Sequence, residues 1–281
     1  MALAGRTPIF SGRPLRLIIA AILVVNGLFP ALWILLTSLK TEAELTRVPI
    51  TWLPDAPTLD NFRQAFSDQP LLMFLFNSFF VATASTILTL LISALAGYAL
   101  ARLNLRYRDL ILALIIAVST FPLVTLLVPL FEIMRALGLL NSYPALILPY
   151  IVLSLPVCTL ILVSFFESIP RDLESSAMID GCTRIGSLFR VVGPLSAPGV
   201  FTAGILAFVN AWDEFLLALS FNSSPNLRTL PVGIMLYQGE FAFPWPVISA
   251  ALVVGIVPVA VLIVIFQERV VSGLTTGGIK G

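Results

Sequence analysis

Apolar runs at residues 17–39, 71–101, 110–131, 144–166, 200–221 and 245–266 alternate with polar stretches along the chain. Each run reaches about 20 residues, the length of helix that crosses a hydrocarbon core of about 30 Å. The pattern predicts an all-α integral membrane protein with six transmembrane helices over 17–267, a polar N-terminus at 1–16 and a polar tail at 268–281. The first run exceeds the usual apolar core of a signal peptide and no small-residue cleavage site follows, so it reads as an uncleaved span.

The second run carries Thr83, Ser85, Thr86, Thr89, Ser93, Ala94, Ala96 and Gly97, and small residues at this density let helix backbones approach closely in lipid. The third holds Pro122 and Pro129, where kinks are expected. Residues 40–70 are polar and broken by Pro49, Pro54 and Pro57, which predicts a loop.

The longest polar interruption in the second half is 171–199, RDLESSAMIDGCTRIGSLFRVVGPLSAPG. It parses as a helix from Arg171 to Asp180, a left-handed stop at Gly181, and a second helix capped by Thr183, closed by Pro194 and Pro198. In that second helix Ile185, Leu188, Phe189 and Val192 form one apolar stripe. Periodicity alone leaves two readings of the stripe open: a helix resting on lipid headgroups, or a helix seated in a groove of another protein.

With 58% hydrophobic and 11% charged residues, the chain is far from the composition of a soluble domain. A net charge of +1 gives no reason to expect nucleic acid, and the absence of histidine removes His-based metal sites and triads. Cys158 and Cys182 show no metal-ligand spacing. Positive charge sets the orientation. Arg6, Arg13, Arg16, Arg102, Arg106, Arg108, Arg171, Arg184, Arg190, Arg269 and Lys280 fall on one side, against Lys40, Arg47, Arg63, Arg135 and Arg228 on the other, so both termini and the 171–199 loop are expected in the cytoplasm. Gly273 and Gly278 have a phosphate loop's spacing, but Ile279 precedes Lys280 and no strand leads in, so the chain has no nucleotide site of its own.

The run LESSAMIDG followed by FRVVGPLSAP resembles the EAA loop of binding-protein-dependent ABC importer permeases, in which E-A-A is followed by three residues, Gly, nine residues and I-x-L-P. Gly181, Val191 and Pro194 take the Gly, Ile and Pro positions, and Asp180 precedes the glycine as in sugar importers. Ser175 and Ser176 stand at the Glu and first Ala, Ala177 matches, Gly193 replaces Leu, and Glu174 sits one residue early. The segment QERVVSGLTTGGIKG is similar to the glycine-rich C-terminus of the second permease of maltose-type importers.

The resemblance implies a carbohydrate permease subunit of a bacterial-type plasma (inner) membrane, non-catalytic, in which a cytoplasmic two-helix loop couples to ATPase subunits. The coupling residues it implies are Glu174, Ser175, Ser176, Ala177, Asp180, Gly181, Ile185, Leu188, Phe189, Val192 and Pro194, with tail contacts at Gly273, Leu274, Thr275, Gly277 and Gly278. The implied partners are a second permease subunit, two ATPase subunits that bind the ATP and Mg this chain lacks, an external substrate-binding protein, membrane lipid, and a sugar or related polyol as cargo.

Asp213 and Glu214 lie about 14 residues into the fifth run, roughly 21 Å at the helical rise. A carboxylate there is costly unless it faces a bundle interior or a wet cavity. With Asn210 and Trp212 it offers acceptors and an aromatic platform to a sugar on the substrate path; alternatively the acids pair with polar groups of a partner permease. An ion-coupled secondary transporter is the competing class, but no clear inverted repeat appears. A membrane-embedded enzyme would need a nucleophile–base pair or metal cluster that the sequence does not offer.

Overall fold

The computed structural model describes residues 13–239 and 243–278, with side chains for 15–239 and 243–267. The described residues are helical apart from turns and connections. They group into two units, one formed by the described residues up to 68 with those of 237–254, the other by 69–236 with the described residues from 255 on.

In the first unit α1 (Arg13–Ser38) is largely apolar and little buried within the chain until its end, where Thr37 and Ser38 are covered. The stretch predicted as a loop is more ordered than its prolines suggest: it contains α2 (Glu42–Leu45) and α3 (Asp60–Asp68). Polar side chains organise it. Lys40 is almost wholly buried, donates to the Thr51 carbonyl and lies 5.1 Å from the Trp33 ring, which itself meets Trp52 edge-on. The Asn61 amide donates to the carbonyls of Ser38 and Lys40, both at 2.8 Å, and Glu44 Oε1 accepts from the Ala56 amide. Tyr237 donates to the Ala65 carbonyl, and burial together with the nearby Asp68 pushes its hydroxyl up to about 12, so it remains a donor at neutral pH.

The second unit is built on α4 (Leu71–Arg102). Its small and polar positions, among them Asn77, Ser78, Ser85, Thr89, Ser93 and Gly97, face inward. A Cβ on Gly97 would stand 3.3 Å from the Cβ of Leu162, so glycine sets how closely α4 meets α7 (Pro144–Ser168).

Between them, the expected third span is broken into α5 (Arg108–Ser119) and α6 (Leu123–Ala136), bent by 96°. The break falls just before Pro122, where proline disfavours helical geometry in the preceding residue; Pro129 stays inside α6.

After α8 (Arg171–Ile179), α9 (Arg184–Ser187), a π turn at Leu188–Val192 and α10 (Gly193–Leu195), the chain bends by 84° into α11 (Ala197–Asp213). The fifth span, expected as one helix, stops at Glu214 and resumes as α12 (Leu216–Phe221). A short α13 (Leu230–Met235) precedes α14 (Trp245–Gly278), which continues beyond the span expected to end at 266. Among the described residues four helices are long and apolar enough to cross a membrane, or up to six if each bent pair counts as one span.

Candidate coupling surface and membrane cavity

The 171–199 segment acquires its shape from local rules. Gly181 has φ +90°, a conformation that glycine adopts without strain, and the Thr183 hydroxyl caps the next helix by accepting from the Gly186 amide at 3.0 Å. The π turn follows from Gly193. A Cβ there would lie 2.9 Å from the Leu188 carbonyl oxygen, so a glycine lets this wider turn close.

The apolar stripe does not stay on one surface. Leu188 and Val192 are buried against Tyr98, Leu162 and Phe166, whereas Ile185 and Phe189 are 63% and 53% exposed. The expectation that all four residues form one exposed face is therefore corrected: only Ile185 and Phe189 are open, and Leu188 and Val192 belong to the core. Met178 and Ile179 add apolar surface at the end of α8.

Glu174 is likewise corrected. Expected among the coupling residues, it points inward, accepts from the Tyr98 hydroxyl and pairs with Arg102 Nε at 3.2 Å, all three being buried. Arg102 also donates to the Ile169 carbonyl at 2.9 Å, Arg171 to that of Ala101 at 3.4 Å and Arg108 to that of Leu100 at 2.8 Å. Arg171 and Arg108 thus satisfy carbonyls at the end of α4 that have no partner within the helix, and Arg102 does the same for the residue that follows α7. Ser175, Ser176, Asp180, Gly181 and Pro194 are exposed and Ala177 is half-buried. The Ser175 and Ser176 hydroxyls donate to the carbonyls of Arg171 and Asp172, so they are turned onto their own helix.

At the break in the fifth span a cavity of about 460 Å³ opens between α6, α7, α11 and α12, lined by Leu123, Tyr150, Leu153, Ser154, Asn210, Ala211, Asp213, Glu214, Phe215 and Leu216. Polar side chains of Tyr150, Ser154, Asn210, Asp213 and Glu214 stand among apolar ones in its lining, as in small-molecule sites. The two neighbouring acids are not equivalent. Glu214 Oε1 accepts from the Leu217 amide at 2.8 Å, and Oε2 accepts from the Ala218 amide at 3.0 Å and from the Tyr150 hydroxyl at 2.7 Å. Asp213 is exposed to the cavity.

Trp212, expected beside them, does not reach it; the ring is buried and stacks on Phe208 at 5.7 Å, because one residue along a helix turns a side chain by about 100°. Tyr150 and Ser154 join the cavity as well, and the one signal for them in the sequence is that they are polar side chains in an apolar run. No group of three or more His, Cys, Asp or Glu able to hold a metal occurs among the described residues.

Residues 90–275 match the family described as binding-protein-dependent transport system inner membrane component. The chain belongs to this family. It is a multi-pass membrane permease, and membership sets aside the secondary-transporter and membrane-enzyme alternatives. The permease is 83% identical over 277 residues, 99% of this chain and 97% of the relative, to the sulfoquinovosyl glycerol transport system permease protein SmoH of Agrobacterium fabrum. It is 39% identical to the trehalose/maltose transport system permease protein MalG of Thermococcus litoralis, over 94% of this chain and 96% of that one. In fold it matches a chain of a bacterial ABC transporter involved in import of the acidic polysaccharide alginate, with a TM-score of 0.80 and 21% identity over 93% of the permease and 99% of that chain. Of the expected tail contacts Gly273, Leu274, Thr275, Gly277 and Gly278, the structure describes the backbone, which is helical; their side chains lie outside the described residues.

Proposed function

We propose that this permease forms half of the membrane pathway of an ATP-driven importer for sulfoquinovosyl glycerol or a glycoside of the same kind. The observation that carries the substrate is the 83% identity, over nearly the whole length of both chains, with a permease named for that cargo. The other half is a second permease, two ATPase subunits bind ATP and Mg, and an external binding protein delivers the sugar. The distribution of arginine and lysine supports an orientation with both termini and the 171–199 segment in the cytoplasm. In this reading the ATPase seats on Met178, Ile179, Ile185 and Phe189, and Asn210 and Asp213 meet the sugar in the cavity at the broken fifth span.

Uptake of labelled sulfoquinovosyl glycerol into vesicles carrying the assembled importer tests the reading. ATP-dependent uptake of that compound in preference to trehalose is expected, and the reverse preference overturns the assignment of cargo. The docking surface has its own test. Phe189→Asp adds a charge to a half-exposed side chain, so insertion and yield of the permease are expected to persist while the ATPase no longer co-purifies, a loss of tenfold or more in recovered ATPase. Full retention of the ATPase removes Phe189 from the contact.

A further inference from the structure

We propose that Glu214 and Tyr150 act as one positioning pair that holds the fifth span broken, and that the adjacent Asp213 is the carboxylate left to meet the cargo. The inference rests on the substrate path proposed above for its functional consequence, but its geometry stands apart from the identity of the sugar.

Nothing in the local sequence requires a break here. NAWDEFLLALSF contains neither glycine nor proline, yet Glu214 leaves the helix with ψ 125°, and α12 begins two residues later. An interruption frees amide groups that lose their partners in the preceding turn, and in an apolar environment such groups must be satisfied. Glu214 supplies the acceptors from its own side chain, taking the amides of Leu217 and Ala218. Tyr150 completes the arrangement from α7, where its buried hydroxyl donates to the same carboxylate and so ties the break to a second helix.

Three donors therefore converge on Glu214, filling its acceptor positions and fixing the orientation of the carboxylate. Asp213 has no such partners among the described residues and opens onto the cavity beside Asn210. Two adjacent acids thus divide the work: one shapes the wall and the other faces the space.

The test uses the whole importer in proteoliposomes and two readouts. The first needs no cargo: with Cys158 and Cys182 replaced by serine and Asn210→Cys introduced into the cavity, the rate of reaction with a charged methanethiosulfonate reports the cavity's shape. Tyr150→Phe, which keeps the ring in place, and Glu214→Gln, which keeps the volume, are each expected to change this rate at least fivefold, and the double variant no further than the larger single change. Unchanged rates, or changes that multiply, overturn the pair.

The second readout is sulfoquinovosyl glycerol uptake. Tyr150→Phe and Glu214→Gln are expected to lower the maximal rate about tenfold with the half-saturating concentration within twofold, whereas Asp213→Asn raises the half-saturating concentration at least threefold. If Glu214→Gln instead shifts half-saturation as Asp213→Asn does, Glu214 contacts cargo and the division is overturned. Should wild-type vesicles fail to take up the compound, the assignment of cargo falls while the thiol reaction still decides the pair.

Discussion

Glu174→Ala is expected to destabilise the permease by about 3–5 kcal/mol, the cost of leaving one member of a buried ion pair without its partner. Arg102 would keep only the Ile169 carbonyl, and the Tyr98 hydroxyl would lose the acceptor it now reaches. The consequence reaches beyond one contact, because Glu174 lies on α8 whereas Tyr98 and Arg102 close the last turns of α4. Thermal unfolding in detergent and recovered yield measure the loss. A second variant separates charge from packing: Glu174→Leu with Arg102→Met removes both members at once, and buried ion pairs replaced together by apolar residues are often tolerated. The double variant is expected to recover most of the yield lost by Glu174→Ala. An unaltered melting temperature in the single variant would show that the pair contributes nothing to stability.

Gly233→Val is expected to be comparably disruptive, by overpacking rather than by charge. A Cβ at Gly233 would sit 2.1 Å from Cδ2 and 2.5 Å from Cγ of Phe74, a ring that is 1% exposed and has no free space to enter. Inserting methyl groups into a filled core costs about 1–3 kcal/mol and more when the neighbour cannot move. The rest of the attachment prevents α13 from moving away. The Asn77 amide donates to the carbonyls of Asn226 and Arg228, both at 2.9 Å, and the Leu230 amide donates to the Ser78 hydroxyl at 2.8 Å. These bonds hold the segment before α13 against the start of α4. Reduced yield and a lower melting temperature are expected for Gly233→Val, and for Gly233→Ala to a smaller degree. Combining Gly233→Ala with Phe74→Leu is expected to be better than the alanine variant alone, because the shorter side chain vacates the space, and neighbouring substitutions of this type are not additive. A Gly233→Val permease with wild-type melting would mean that the ring shifts freely.

Local chemistry made part of this structure readable. Gly181 and Thr183 announce a turn and a cap because each acts on its own backbone, and Pro122 marks a break for the same reason. The small polar residues of α4 likewise point to the face that packs. Other features depend on partners far along the chain. Glu174 is drawn inward by Tyr98 and Arg102, and no spacing within LESSAMIDG signals that. The stripe of the second loop helix has the right period, but periodicity cannot say which part of a stripe meets the bundle and which is left outside. The interruption at Glu214 was hidden because an acidic side chain, rather than glycine or proline, ends the helix. At the cavity, Asn210, Asp213 and Glu214 were legible as costly polar groups in an apolar run, while Trp212 was drawn in by adjacency alone.

The two cysteines differ in a way that offers a ready-made optical handle. Cys158 is buried between helices, whereas Cys182 is partly exposed in the turn between α8 and α9, next to Gly181. A maleimide fluorophore added to the native permease would therefore attach at Cys182 in preference to Cys158. Its emission would then follow, without any engineered residue, whatever approaches or leaves that turn as the importer cycles.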